Sequence, residues 1–349
     1  MAKALGAIGI ELRHIIGPNT AHAYHPDAIT QINALIDPLA ARGRETLPRT
    51  ITVTTPTLKY NRQAWLQIDA LDRHWEKSTV TASLKDGGPI TVKTLNASAL
   101  TLSFPPGTAR LGPPPAVVID GQPIKTLTLR SDSSWGGSFH REGVRWVSGP
   151  QPERGLRKRH GLQGPIDDAF LSAFLMVTPS AVSRNPRFET WAQAEMAHSL
   201  REWRRQFRGD ARVKKDTEVS DADIAANNLV LWGDPISNAV LARIADKLPI
   251  GWDALKITVG KNSYPAEGHA LIAIYPNPLN PARYVVLNSG PTYREYDYLN
   301  NARQTPKLPD WAVVDLSVPP DFRYPGRVEN AGFFGESWEL LPNVRATRR

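Results

Sequence analysis

The stretch from Ile8 to Leu39 is the feature that most restricts what this 349-residue chain can form. Apolar residues at Ile8, Ile10 and Leu12 alternate with small or polar ones, a period of two that predicts a β-strand running on to residue 16. Residues 17–20 then break the strand, two histidines follow, and Pro26 begins a helix with apolar periodicity. The order of strand, histidine-bearing loop and helix is typical of a doubly wound sheet, and one strand cannot complete its hydrogen-bond ladder alone.

His22 is the candidate catalytic residue of this stretch. Open α/β folds hold their catalytic and ligand-binding side chains at the carboxyl ends of the sheet strands, which is where the pattern places His22. As a general base, His22 needs a hydroxyl within hydrogen-bond reach and a carboxylate that orients its other ring nitrogen. Neither partner is identifiable, because no Gly-x-Ser-x-Gly follows His22: residues 136–139 and 335–338 both lack the second glycine.

Two further histidines accompany His22. We expect His14 to be a strand side chain and His25 to serve the start of the helix. Three histidines within twelve residues could suggest zinc. No accompanying carboxylate has the spacing of a metal motif, however, so the sequence predicts neither a metal site nor a cofactor here.

The sequence IELRHIIGPNTAHAYHPDA, continued by INALIDPLAARGR, resembles one segment of a known family. It is similar to the last strand, catalytic-histidine loop and final helix of the α/β-hydrolase domain in prolyl-oligopeptidase-type serine peptidases and esterases. The family's loop usually reads Thr-Gly-His, so His22 matches the general base, and Ala21 stands where the family has glycine. The segments TLKYNRQAWLQIDALDRHWE and GLQGPIDDAF look like the accessory region of large multidomain relatives.

This resemblance implies acyl transfer to water from a peptide or ester substrate. In the family the catalytic residues follow the order Ser, Asp, His, so a hydrolase polypeptide outside the chain would supply Ser and Asp. Because the sequence opens inside an apparent helix, we expect Met1 to be an internal methionine of a longer reading frame, or the missing segment to be encoded separately.

The composition is that of a globular protein, with 41% hydrophobic and 22% charged residues. The sequence has no run of 18 apolar residues and no signal-peptide pattern, so we expect no membrane association. Cysteine is absent, which leaves the compartment undecided. The net charge of +8 is partly local, at residues 154–160 and in an arginine tail at 345–349. Without a recognisable nucleic-acid motif, we interpret these as a solvated linker and a frayed terminus, and we predict no nucleic-acid partner.

Residues 47–148 change to short alternating runs, for example 50–54, 79–84 and 99–104, with Asp120-Gly121 as a turn. This pattern predicts an antiparallel β-sandwich. Its aromatic residues could line a sugar- or peptide-binding face, or they could be anchors of the core; they are Tyr60, Trp65, Trp75, Trp135 and Trp146.

Residues 149–164 are rich in Pro, Gly, Arg and Lys and predict a linker. We interpret Asp167 and Asp168, which follow it, as a cap and a surface charge. Apolar residues at three- and four-residue steps predict an amphipathic helix over 187–207. A β-loop-α unit at 228–248, further strands, and a proline-rich loop at 276–281 complete a second α/β layer.

The predicted fold class is therefore α/β plus all-β. The expected domains are a partial α/β-hydrolase remnant (1–46), an antiparallel β-sandwich (47–148), a linker (149–164) and a Rossmann-like α/β accessory domain (165–349). The leading function is the C-terminal part of a serine hydrolase, inactive alone, with His22 as base. The alternative is a non-catalytic accessory or carbohydrate-binding module, which the absent nucleophile and the aromatic residues favour.

Overall fold

A computed structural model describes residues 1–85, 87–107, 116–125 and 130–342, and the arginine tail lies outside these residues. The chain divides after Pro48 into two compact units. The described part is mixed and rich in strands, with α/β and all-β regions. Within it, no helix has both the length and the apolar character needed to cross a bilayer.

The first unit contains two helices, α1 (Ala2–Gly6) and α2 (Pro26–Arg42). α2 begins as predicted: Pro26 lies at its first turn, and the His25 ring accepts a hydrogen bond from the backbone N–H of Asp27 at 3.3 Å. The strand predicted over residues 8–16 is wrong, because these residues belong to no sheet. The physical reason is that a strand needs a neighbour, and residues 1–48 contain no other strand.

The second unit begins with a two-sheet region, residues 50–148. Its strands are β1 (Thr50–Thr55), β2 (Arg62–Gln63), β3 (Leu66–Leu71), β4 (Ser78–Ser83), β5 (Ile90–Leu95), β6 (Ala97–Phe104), β7 (Val117–Ile119), β8 (Gln122–Ile124), β9 (Trp135–Glu142) and β10 (Arg145–Ser148). The two sheets have the orders β1-β4-β5-β7-β8 and β10-β9-β6-β3-β2, and every pairing is antiparallel except β5 with β7. Alternate side chains are buried, as along β1 and β4.

The segment predicted to be a linker is packed into the fold instead. Lys158 and Gln163 are fully buried, and Arg159 and Leu162 form a small antiparallel bridge. The backbone N–H of Lys158 also donates to the carbonyl of Glu336 at 2.8 Å. The prediction from composition is wrong here because a lysine can be buried in a core when it pairs with a buried carboxylate.

A mixed-sheet region follows. Its strands are β11 (Phe174–Thr178), β12 (Val213–Lys215), β13 (Asn228–Leu231), the small sheet of β14 (Gly251–Trp252), β15 (Lys256–Val259) and β16 (Asn262–Pro265), and then β17 (His269–Asn277), β18 (Asn280–Leu287), β19 (Trp311–Asp315) and β20 (Arg327–Gly332). The large sheet has the order β12-β11-β13-β18-β17-β19-β20. The pairs β12-β11, β11-β13 and β13-β18 are parallel, and the remaining three are antiparallel.

Three helices belong to this region: α3 (Pro186–Phe207), α4 (Asp221–Ala226) and α5 (Ala239–Ala242). The amphipathic helix predicted over 187–207 is confirmed as α3, whose buried face includes Phe188 and Trp191. The proline-rich loop predicted at 276–281 is wrong. Asn277 pairs with Asn280, so β17 and β18 form a tight hairpin.

Polar and aromatic contacts join the two-sheet region to the mixed-sheet region. Lys59 Nζ lies 2.9 Å from Asp168 Oδ1, and His74 Nδ1 lies 2.8 Å from the Glu336 carboxylate. The ring of Trp75 stacks on Phe333 with centroids 5.0 Å apart. These specific contacts agree with the single compact unit formed by both regions.

Candidate functional site

The structure places His22 in an exposed loop between the turn near Asn19 and the start of α2. Within residues 1–48, all of which are described, its ring makes no hydrogen bond or ion pair. His14 is also exposed, and His25 caps α2. The three histidines of this stretch therefore do not converge on a shared partner, and His22 lacks the hydroxyl and carboxylate that general-base catalysis requires.

Asp167 and Asp168 differ from the predicted cap and surface charge, because both are engaged inside the fold. Asp168 is 5% exposed and accepts hydrogen bonds from Lys59 Nζ at 2.9 Å and Tyr284 Oη at 2.8 Å. Asp167 accepts from the backbone N–H of Thr292 at 2.9 Å and from its hydroxyl. Burial raises the pKa of Asp167 to about 6, while the bonds to Thr292 oppose the rise.

The aromatic residues of the two-sheet region are mostly core anchors. Trp65, Trp135 and Trp146 are each less than 5% exposed, and Trp75 is stacked on Phe333. A stacking platform for sugar rings needs exposed aromatic faces. Among these aromatics only Tyr60, at 77% exposed, offers one.

A polar cluster that the sequence analysis missed lies where α3 meets the loop after β18. His198 and Glu202, one helical turn apart, project from the same side of α3. Glu295 comes from the loop, and its Oε1 lies 2.9 Å from His198 Nε2. One ligand atom from each of the three side chains lies within 4.8 Å of the others.

A small cavity adjoins the cluster. Its volume is about 30 Å³, and its lining includes His198, Ser199 and Glu202 from α3, together with Gly290 and Tyr298 from the chain after β18. A cavity of this size holds one or two water molecules or an ion, and is too small for an organic cofactor.

A buried ion pair fixes the loop opposite α3. Arg294 lies with its guanidinium against the Glu195 carboxylate, at 2.7 and 3.1 Å, and both side chains are 8% exposed. The fork geometry of this pair fixes direction as well as distance. It holds residue 295, the next along the chain, at a defined position beside α3.

The electrostatics of the cluster favour the ionised form of Glu295. Burial opposes ionisation of Glu295, but its own backbone N–H, His198 and the charge of Arg294 together lower its pKa. Burial and the nearby charges of Glu202 and Glu295 raise the pKa of Tyr298 well above its ordinary range. Tyr298 is therefore a neutral phenol beside Glu202 and Glu295.

The one sequence signal for this cluster is the His-x-x-x-Glu spacing within the predicted helix, since Glu295 lies 97 residues from His198. A histidine and two carboxylates supply the nitrogen and oxygen donors that divalent transition metals accept. No family model, curated protein or solved structure matches this chain.

Proposed function

We propose that this chain is the C-terminal part of a serine hydrolase, a peptidase or esterase, in which His22 is the general base and the unit after Pro48 is accessory. The observation that carries the proposal is the row of exposed apolar side chains leading to His22. Ile8, Ile10 and Ile16 are 69%, 51% and 72% exposed. The alternation of these exposed side chains along the sequence is what a strand added to a sheet edge presents.

In this proposal residues 8–16 become a strand when a hydrolase sheet pairs with them, and His22 then lies at the end of that strand. The imidazole takes the proton of a serine hydroxyl as the serine oxygen attacks the carbonyl carbon of a peptide or ester. It gives that proton to the leaving amine or alcohol as the scissile bond breaks, which leaves the acyl group on the serine. Water then attacks the acyl carbon while His22 takes a proton from it, and His22 returns that proton to the serine oxygen as the acid is released. The hydrolase polypeptide supplies the serine and the aspartate that orients His22.

The proposal also assigns a fold to each of the two regions of the second unit. The two-sheet region corresponds to the β-sandwich, and the mixed-sheet region to a Rossmann-like α/β accessory domain. The parallel pairing of β12, β11, β13 and β18 supports the second assignment. The antiparallel strands β17, β19 and β20 continue the same sheet beyond β18.

The test begins with the isolated chain, which we expect a fluorophosphonate probe to leave unlabelled. The DNA upstream of Met1 is then read for an in-frame Gly-x-Ser-x-Gly and an aspartate segment, and that polypeptide is produced together with this chain. We expect hydrolysis of p-nitrophenyl acetate. His22→Ala should reduce kcat about 10⁶-fold, as the loss of a triad histidine does.

The matched control is His14→Ala, which removes an exposed histidine from the same segment and should keep activity within about two-fold of wild type. Ile10→Asp should weaken association of the two polypeptides. The proposal is overturned if no serine and aspartate segment exists upstream or in a neighbouring gene, or if His22→Ala is as active as His14→Ala.

A binding module is the second candidate, because a cleft of about 520 Å³ lies beside the two-sheet region, and its largely apolar lining carries several polar side chains. Asp69 accepts a hydrogen bond from the Thr101 hydroxyl at 2.6 Å, and Thr101 contacts the Ser138 hydroxyl at 2.9 Å. Arg154 and Arg157 also line this cleft. Binding of an oligosaccharide panel to the isolated chain, lost in Asp69→Ala, would favour this candidate.

A further inference from the structure

We propose that His198, Glu202 and Glu295 bind a divalent transition-metal ion, with Zn²⁺ the best match to one imidazole and two carboxylates. Three protein ligands leave a fourth position for water, as in open zinc sites. The adjoining cavity of about 30 Å³ has room for that water. This site lies in the second unit and is independent of the role proposed for His22.

Buried oxygens that make no hydrogen bond give the first independent support. Glu202 is 7% exposed and Ser199 is 4% exposed. Glu202 Oε2, Glu295 Oε2 and Ser199 Oγ are buried and make no hydrogen bond among the described residues. The contact of Glu202 Oε2 with Arg205 Nη1, at 3.6 Å, is an ion pair beyond hydrogen-bond distance. A buried polar oxygen without a partner is costly, and carboxylate oxygens in that state are what a cation satisfies.

The backbone supplies a rigid frame for the ligands. His198 and Glu202 are fixed by the spacing of α3, a 22-residue helix. Glu295 follows Arg294, which the buried pair with Glu195 holds in place. Zn²⁺ bonds of about 2.0–2.2 Å need ligand atoms roughly 3–3.5 Å apart. His198 and Glu295 already meet at 2.9 Å, and a Glu202 oxygen lies within 4.8 Å of both, so binding requires the Glu202 carboxylate to move closer.

The charges facing the site allow a divalent cation. Arg201 Nε lies 3.1 Å from Glu202 Oε1, and its Nη2 lies 3.7 Å from Glu295 Oε1. Arg205 Nη1 lies 3.6 Å from Glu202 Oε2. Both arginine side chains are 60% exposed and can turn to solvent when a cation arrives. Arg294 stays with Glu195, so the two ligand carboxylates are left to balance the two positive charges of the metal.

The test uses the full chain, without an affinity tag and stripped of metal with a chelator. Titration calorimetry with Zn²⁺ should give one site, and Co²⁺ in its place should give visible absorption bands. Glu202→Gln keeps the size of the side chain, and both it and His198→Ala should weaken Zn²⁺ binding at least about 100-fold. Zn²⁺ should raise the Tm of wild type but not of these variants.

Two controls separate this site from other histidines. His269, which pairs with Glu329 on β20 at 2.7 Å, supplies a second His–Glu contact, and His269→Ala should leave binding unchanged. The triple variant His14→Ala/His22→Ala/His25→Ala removes the exposed N-terminal histidines and should also keep the site. The inference is overturned if wild type binds no Zn²⁺, which would leave an ion-pair network only, or if binding is lost in the triple variant and kept in Glu202→Gln.

Discussion

Lys158 and Asp310 form an ion pair in which neither side chain is exposed to solvent, with Nζ and Oδ2 2.6 Å apart. The ammonium also lies 4.9 Å from the ring centroid of Trp338. Asp310 Oδ2 accepts a second hydrogen bond, from the backbone N–H of Phe334 at 3.0 Å. One buried pair thus joins the segment before β11, the start of β19 and the aromatic C-terminal segment.

Lys158→Met should destabilise the fold by about 3–5 kcal/mol, because it leaves the Asp310 carboxylate buried without its cation. Urea denaturation followed by tryptophan fluorescence measures this loss. Asp310→Asn in the same chain removes the stranded charge and keeps an acceptor for Phe334, so the double variant should recover most of the stability. A loss below about 1 kcal/mol in Lys158→Met would contradict a fully buried pair.

Asp167 should make the fold less stable as the pH rises from 4 to 7. Its carboxyl has a pKa of about 6 in the folded state against 3.8 ordinarily. The folded state therefore holds the proton more tightly, and the stability due to Asp167 is fully present below pH 3.8 and lost as the pH rises through 6. At 1.36 kcal/mol for each of about two pH units, the change is at most about 3 kcal/mol.

Asp167→Asn isolates this effect, since the amide keeps a hydrogen-bond acceptor for Thr292 and does not titrate. The difference in unfolding free energy between the variant and wild type should grow in favour of the variant from pH 4 to pH 7. Every other titrating group is common to both proteins, so a difference that stays constant with pH would show that Asp167 has an ordinary pKa.

The pair of His74 with Glu336 should contribute more than its surface counterpart, His269 with Glu329. The Glu336 carboxylate accepts from the backbone N–H of His74 at 2.7 Å and from Nδ1 at 2.8 Å, and the His74 side chain is 2% exposed. Glu336→Ala leaves these donors without a partner and should cost about 2–3 kcal/mol. Glu329 is 43% exposed, so Glu329→Ala should cost less than about 1 kcal/mol. Equal losses would contradict this ranking.

Sequence periodicity predicted the elements whose pattern is long and regular. The helix expected over 187–207 is α3 (Pro186–Phe207), because 22 residues repeat one apolar face and Asn185 caps the first turn. β9 was not predicted, because Gly136 and Gly137 interrupt the alternation of apolar and polar side chains along it. A Cβ on Gly137 would lie 2.9 Å from the Phe139 ring and 3.0 Å from the Trp135 ring, so glycine leaves room there for two aromatic side chains.

The remaining differences come from contacts between distant parts of the chain. No local pattern reports that Lys158 meets Asp310, or that Glu295 meets a histidine 97 residues earlier. Residues 8–16 illustrate the opposite case: their alternation is real, yet a strand also requires a neighbouring strand to pair with. A pattern of this kind predicts which surface is apolar, and the available partners decide whether it becomes a strand.

Gly290→Ala should disturb the contact between α3 and the loop that carries Glu295. An added Cβ would lie 2.0 Å from Ser199 Oγ and 2.8 Å from Ser199 Cβ, so the loop must shift away from the helix. We expect a loss of about 1–3 kcal/mol in thermal or urea unfolding, the usual cost of overpacking. Gly268→Ala is the matched control, because its Cβ would have no neighbour within 4 Å. In a Ser199→Gly background both clashing atoms are absent, so adding Gly290→Ala there should cost at most a few tenths of a kcal/mol; an equal cost in both backgrounds would contradict the close approach of Gly290 to Ser199.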